Sequence, residues 1–199
     1  MIVRESISFK RGMNSKESLG VGRRAEIHRF FDELNISREK YTVDDNFNIL
    51  FPGNLDLNGS QIRELPAGLV VGKSLYLMSS QIRELPAGLL VFGSLDLDNS
   101  QIRELPPGLE IGGSLYLSGS QIRELPAGLV VGGNLHLRDS QIRELPAGLA
   151  VGGSLFLNGT QIEEIPSDLR VGRDLDLRGT RIEELPTDLV VGGKIYKDF

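Results

Sequence analysis

An L-x-L motif recurs every twenty positions, and the residue between its two leucines differs in chemical type from one motif to the next. The first set, which we call the variable row, comprises Asp56, Tyr76, Asp96, Tyr116, His136, Phe156 and Asp176. Two positions after each comes a second set, the flanking row: Asn58, Met78, Asp98, Ser118, Arg138, Asn158 and Arg178. Aromatic residues, methionine and arginine among acids are typical of protein interfaces. We therefore predict a partner-binding surface made of the whole variable row and of Met78, Asp98, Arg138 and Arg178.

The alternative interpretation of these rows is drift at exposed positions that tolerate any polar residue. Drift at such positions rarely selects large aromatic side chains, which occur here as Tyr76, Tyr116 and Phe156. The pattern therefore favours binding.

Neither row indicates catalysis or a metal site. His28 and His136 are far apart in sequence, and neither has a second ligand at metal spacing. Asp96 and Asp98 fit part of a hard-cation site, yet the adjacent repeats offer tyrosines rather than further carboxylates. The chain has no cysteine, and no Ser/His/Asp set is recognisable. We predict a protein that is not an enzyme and that needs no cofactor or metal.

The constant residues around the variable positions define a repeat of twenty residues. Its units begin at Asn54, Ser74, Ser94, Ser114, Asn134, Ser154 and Asp174, and a half-unit starts at Lys194. In the unit 114–133 the leucines alternate with Tyr116, as in a short strand, while Pro126 and the Gly132-Gly133 pair exclude a helix. With about six apolar side chains inward per coil, at roughly 1.5–3 kcal/mol each, stacking of coils dominates the energetics. The pattern predicts a strand-based parallel solenoid.

The pattern L-x-L-x-x-S/T-x-I-x-x-L-P-x-x-L resembles the leucine-rich repeat family, in its short 20-residue bacterial and phage-type form that carries Leu-Pro. The resemblance implies a right-handed coil of short parallel strands with little helix. It also implies that the variable row lines an exposed inner surface on which partners dock. Two features depart from the family: Ser or Thr replaces the usual Asn, as at Ser120, and glycine replaces the first leucine, as at Gly113. A three-faced parallel β-helix is the alternative architecture.

Three constant columns accompany each coil. Glutamines form one, and we expect stacked amides to bond to each other; an arginine column lies beside a glutamate column, from Arg63–Glu64 to Arg143–Glu144. The glutamates offset the repulsion between arginines, so we interpret the pair of columns as a structural charge ladder. A polyanion-binding strip is the alternative, but Glu163 and Glu183 replace the arginine in the last coils.

Residues 1–52 do not repeat, whereas residues 53–199 hold the seven units and the half-unit. In the first segment Ile27, Phe30, Phe31 and Leu34 predict an amphipathic helix of about thirteen residues. YTVDDNFNILFPG then predicts a strand or hairpin, and the whole segment is expected to cap the first coil. ESISFKRGMNSKESLGVG is similar to the start of repeat proteins from phages and prophages. Gly20 and Gly22 are expected to lie at the entry to the helix.

Composition narrows the classes of partner. The net charge of −5 argues against a nucleic-acid binder, and we expect neither a signal peptide nor a membrane span. Absence of cysteine suits the cytoplasm. We predict a cytoplasmic, phage- or bacterium-encoded interaction or inhibitor protein. The alternatives are self-assembly through an open strand edge at Ile195–Tyr196, as a dimer or end to end, and carbohydrate binding by the aromatic side chains.

Overall fold

The structure is a computed structural model that describes residues 16–198, with side chains from residue 22 onward. One helix, α1, spans Lys16–Glu33, and a short 3-10 helix spans Arg38–Lys40. The strands of a first sheet are β1 Thr42–Val43, β2 Ile49–Phe51, β4 Leu69–Val71, β6 Leu90–Val91, β8 Glu110–Ile111, β10 Val130–Val131, β12 Ala150–Val151, β14 Arg170–Val171 and β16 Val190–Val191. Those of a second sheet are β3 Leu55–Asp56, β5 Leu75–Tyr76, β7 Leu95–Asp96, β9 Leu115–Tyr116, β11 Leu135–His136, β13 Leu155–Phe156, β15 Leu175–Asp176 and β17 Ile195–Tyr196.

The chain forms a β-solenoid in which every coil contributes one strand to each of two sheets. All pairs are parallel except that of β1 with β2, and each residue pairs with the residue twenty positions later, as Leu115 does with Leu135. The predicted repeat solenoid is confirmed. The sequence indicated only the L-x-L strand, whereas the return segment forms a strand too, for example at Val130–Val131. Of the three faces of a β-helix, two are therefore sheets; residues 121–126 of the third are irregular.

The core is continuous from helix to last coil. In the coil that begins at Ser114, six apolar side chains point inward and are at most 7% exposed: Leu115, Leu117, Ile122, Leu125, Leu129 and Val131. The equivalent residues of neighbouring coils belong to the same cluster. This matches the six inward residues expected from the repeat, and it shows why a single coil cannot bury its own apolar face.

Backbone turns at the coil corners lie almost in contact. A Cβ added to Gly132 would collide with the carbonyl oxygen of Gly112 in the preceding coil. The close approach of two backbones therefore favours glycine at this corner, in addition to any demand of the local conformation. Phe92 takes the place of this glycine in its own coil, where its side chain is 66% exposed.

The N-terminal helix packs on the first coil. The ring of Phe31 lies 4.5 Å from that of Tyr41 and 5.2 Å from that of Phe51, between centroids. Arg24 ties the helix to the β1–β2 hairpin by donating to the carbonyl oxygens of Val43, at 2.6 Å, and Asp44, at 2.9 Å. A helix and a hairpin are present where the sequence predicted them, and Ile27, Phe30 and Phe31 of the helix are buried. The expectation that Gly20 and Gly22 lie at the helix entry was wrong, because the helix begins at Lys16, and it ends at Glu33, before Leu34. The beginning of the phage-like segment, up to residue 15, lies outside the described residues.

A ladder of side-chain oxygens joins successive coils. Its members are the first residues of the units, and we call them the ladder row: Asn54, Ser74, Ser94, Ser114, Asn134, Ser154 and Asp174. Each accepts a hydrogen bond from the backbone N–H of the next member, and Asp174 accepts from Lys194. These oxygens satisfy one turn N–H per coil. A polar residue recurs at this position of every unit in the sequence, but its spacing alone does not indicate these hydrogen bonds.

The buried hydroxyl row, where the leucine-rich repeat has Asn, behaves differently. Ser120, Thr160 and Thr180 donate to the carbonyl oxygen three residues earlier. The hydroxyls of Ser60, Ser80 and Ser140 are buried and have no hydrogen-bond partner. Hydroxyls at this position therefore satisfy the turn backbone in some coils only.

This contrast predicts opposite effects for two serines. In Ser94→Ala the backbone N–H of Ser114 loses its acceptor, and we expect a loss of about 1–3 kcal/mol in the free energy of unfolding. In Ser80→Ala an unpartnered buried hydroxyl is removed, so unfolding free energy is expected to stay level or rise by about 1 kcal/mol. Urea unfolding followed by circular dichroism measures both. Equal destabilisation by the two changes would contradict the assignment of the ladder.

Candidate functional site

The variable row forms one straight line on the outward face of the eight-stranded sheet. Cα pairing joins each member to the next, from Asp56↔Tyr76 to Phe156↔Asp176. The flanking leucines of every strand are buried, which directs the variable residue outward. The structure thus brings together all seven residues predicted from the sequence. It adds an eighth, Tyr196, which pairs with Asp176 and was missed because the last unit is incomplete.

Three rings of the variable row stack on one another. The ring centroid of His136 lies 4.6 Å from that of Tyr116 and 4.5 Å from that of Phe156, with interplanar angles of 15° and 19°. Each ring is half-buried, and burial lowers the pKa of His136. Because the rings cover each other's faces, this stack presents mainly ring edges to a partner.

The acids of the variable row also shape the backbone. Asp56, Asp96 and Asp176 each accept a hydrogen bond from the N–H two residues later, at 3.1, 3.0 and 3.2 Å. This local bond is the Asx turn, for which aspartate is suited. Three members of the row therefore have a structural role beside the predicted binding role.

Asp176 differs from the other acids because it is only 5% exposed. Arg178 donates to both of its carboxylate oxygens, at 2.9 and 2.7 Å, and places its guanidinium carbon 5.5 Å from the ring centroid of Tyr196. The hydrogen bonds from Arg178 lower the pKa of Asp176. A partner that approaches here meets the guanidinium of Arg178 and not the carboxylate.

The flanking row joins coils through backbone contacts. Asn58 Oδ1 accepts from the N–H of Met78 at 2.8 Å, and Asp98 Oδ1 accepts from the N–H of Ser118 at 2.7 Å. Burial, followed by the charge of Asp96, outweighs that hydrogen bond and raises the pKa of Asp98. The side chain of Met78 is 41% exposed.

Arg138, the remaining predicted member of the flanking row, pairs with its chain neighbour. Its Nε lies 3.2 Å from Asp139 Oδ2, and both side chains are mostly exposed. The guanidinium can therefore exchange this contact for one with a partner at little cost.

The constant columns do not make the side-chain contacts that their spacing predicted. Among residues 22–198, no side-chain hydrogen bond joins two glutamines, and the ion pair between Arg181 and Glu163, at 3.3 Å, is the one ion pair formed by these columns. The five arginines of the column are exposed. The expectation that stacked glutamine amides bond to each other was therefore wrong. The arginine and glutamate columns lie side by side, but apart from Arg181–Glu163 their side chains form no ion pairs among the described residues.

A second exposed apolar line was missed by the sequence analysis. On the outward face of the nine-stranded sheet Leu50, Val70 and Leu90 are paired in register, and Phe92 stands beside Leu90. Leu50 is 45% exposed and Phe92 66%. The signal in the sequence was Phe92 itself, which replaces the glycine of the neighbouring coils.

The described residues contain neither a metal-binding cluster nor a membrane-spanning helix. They hold no group of three or more His, Cys, Asp or Glu side chains arranged to bind a metal ion. Nor do they include a helix that is long and apolar enough to span a membrane.

No protein-family model matches the chain, and no curated protein matches its sequence. The likeness to leucine-rich repeats therefore stays a prediction from the sequence pattern.

The Asp176–Arg178 pair predicts a pH-dependent contribution to stability. In Arg178→Gln the nearly buried carboxylate loses its cation, and we expect a measurable loss of unfolding free energy at neutral pH. Since the pKa of Asp176 is lowered in the folded state, the contribution is present above the ordinary carboxyl pKa and disappears as pH falls through the lowered value. Urea unfolding at several pH values tests this.

Arg138→Gln is the matched control, because both partners of its ion pair are exposed. We expect no measurable change in its unfolding free energy. If Arg178→Gln were equally harmless at neutral pH, or if its deficit persisted in strong acid, the assignment would be wrong.

Proposed function

We propose that the chain is a protein-binding scaffold that presents the variable row and its flanking row to a protein partner. The observation that carries the proposal is the alignment of Asp56 through Tyr196 on one outward sheet face, with three rings stacked among them. We propose further that it acts in the cytoplasm as a phage- or bacterium-encoded interaction or inhibitor protein, and that it catalyses no reaction.

The stacked rings make this surface suited to recognition of a protein partner. A side chain that is already held between two others loses little rotamer freedom when a partner covers it, so more of the contact energy appears as affinity. The edges of aromatic rings carry partial positive charge, which favours carbonyl or carboxylate oxygens of a partner. Both faces of the His136 ring are covered by neighbouring rings, which disfavours stacking of a sugar on that residue.

Self-assembly is a second candidate, supported by the strand edges at Val190–Val191 and Ile195–Tyr196. Each of these strands pairs on one side only within residues 16–198. Ile195 is 38% exposed, although the equivalent Leu155 of an inner coil is fully buried. Pairing with a second copy would continue the same ladder. Sedimentation equilibrium over a range of concentrations distinguishes this candidate, because a constant monomer mass is incompatible with it.

The scaffold is tested by affinity capture from bacterial lysate, followed by titration of the purified captured protein. We expect Tyr76→Ala/Tyr116→Ala/Phe156→Ala to weaken that complex at least tenfold, since each change removes a large, half-buried aromatic side chain from the row. Phe92→Gly is the matched control: it removes an aromatic side chain from the other sheet and restores the glycine of neighbouring coils. Equal affinity of wild type and triple variant, or loss of binding in Phe92→Gly alone, would refute the assigned face.

A further inference from the structure

Carboxylates on the outward face of the eight-stranded sheet differ in whether a cation neutralises them. Asp176 is paired with Arg178 and Asp139 with Arg138. Asp96 and Asp98 belong to the same coil, and neither has an ion-pair partner among residues 22–198. Both are partly buried, and each accepts one backbone hydrogen bond, from Asp98 and from Ser118 respectively. Two adjacent, partly desolvated carboxylates without a counter-charge favour an incoming cation.

Aromatic side chains flank this acid pair on both sides. Asp96 is in register with Tyr76 of the preceding coil and with Tyr116 of the following one. Tyr116 stacks against His136 by one face of its ring, so its other face is directed toward Asp96. Since aspartate is much shorter than tyrosine, the line of the variable row has a notch at Asp96. We call it the Asp96 notch; its walls are tyrosines and its floor is carboxylate.

The width of the Asp96 notch suits one flat group. Tyr76 and Tyr116 are two coils apart, which corresponds to roughly 9–10 Å at the strand spacing of a sheet. A cation placed midway would lie about 5 Å from each ring, inside the range of about 6 Å over which cation–π attraction acts. The exposed thioether of Met78, beside the notch in the flanking row, can contact the methylene groups that lead to the cation.

We propose that the Asp96 notch receives the guanidinium of an arginine side chain from the protein partner. This proposal rests on the proposed function and specifies its chemistry. A guanidinium is planar, stacks on aromatic faces and donates two parallel hydrogen bonds to carboxylates. An ammonium is a compact point charge that has neither the planar shape nor the paired donors. A divalent metal is disfavoured because two carboxylates, with tyrosine in the coils on either side, supply too few oxygen ligands.

The test uses N-acetyl-arginine amide as the probe, with amide chemical shifts of the full chain as the measurement. We expect saturable shifts in the coils that carry Tyr76, Asp96 and Tyr116, with a dissociation constant in the millimolar range. The neutral isostere N-acetyl-citrulline amide should produce none. Asp96→Asn/Asp98→Asn keeps an oxygen acceptor for both backbone hydrogen bonds, so it should fold normally and bind the probe at least tenfold more weakly.

Asp139→Asn serves as the control, because it removes an exposed carboxylate from the same face outside the notch; its affinity should equal that of wild type. Absence of saturable shifts, equal shifts with citrulline, or full binding by the double variant would each overturn the proposal. Failure of the probe to bind, with partner capture still dependent on the aromatic residues, would refute the notch and leave the scaffold standing. If the probe bound at the notch but the three aromatic substitutions left capture of the partner unchanged, the scaffold function alone would be refuted.

Discussion

Parallel pairing of each coil with the next, in a register of twenty residues, is the constraint on which the whole molecule depends. It sets every inward apolar side chain above an equivalent apolar side chain, so that a core of small cross-section becomes continuous. It also brings the turn backbones so close that a Cβ at Gly132 would strike Gly112. Apolar burial supplies the driving force, while the ladder row and the glycine turns fix the spacing at which burial occurs.

The same register creates the candidate binding surface. Residues that lie twenty positions apart in sequence become neighbours at one strand spacing, which is why Tyr116, His136 and Phe156 form a stack. A change at one variable position therefore alters the two adjacent coils as well. The charge balance also differs along the face. Asp176 is neutralised because Arg178 stands two residues after it, whereas Asp98 stands two residues after Asp96, which has no cation partner within the described coils.

Periodicity allowed the sequence to predict the solenoid, its six inward residues per coil and the alignment of the variable row. The second strand was not predicted because two-residue strands such as Val130–Val131 are too short to show alternation. The roles of Ser94 and Ser80 could not be distinguished either, because hydrogen bonds between coils depend on side-chain direction and not on spacing. Aspartate recurs in the variable row partly because it forms Asx turns, whereas the sequence had been interpreted only in terms of binding chemistry.

The measurement that tests the central claim most directly is a through-hydrogen-bond scalar coupling in the intact protein. The chain is labelled on leucine nitrogen and on histidine carbonyl carbon, since the N–H of Leu117 donates to the carbonyl oxygen of His136 at 2.8 Å. The nitrogen of Leu137, which follows His136 in the chain, shows a one-bond coupling to the same carbonyl carbon whatever the fold. With parallel stacking in the register of twenty, one further leucine–histidine coupling is expected, between Leu117 and His136. Absence of that second coupling under folded conditions, or its appearance at a leucine other than Leu117, would contradict the register from which the core, the turns and the binding face all follow.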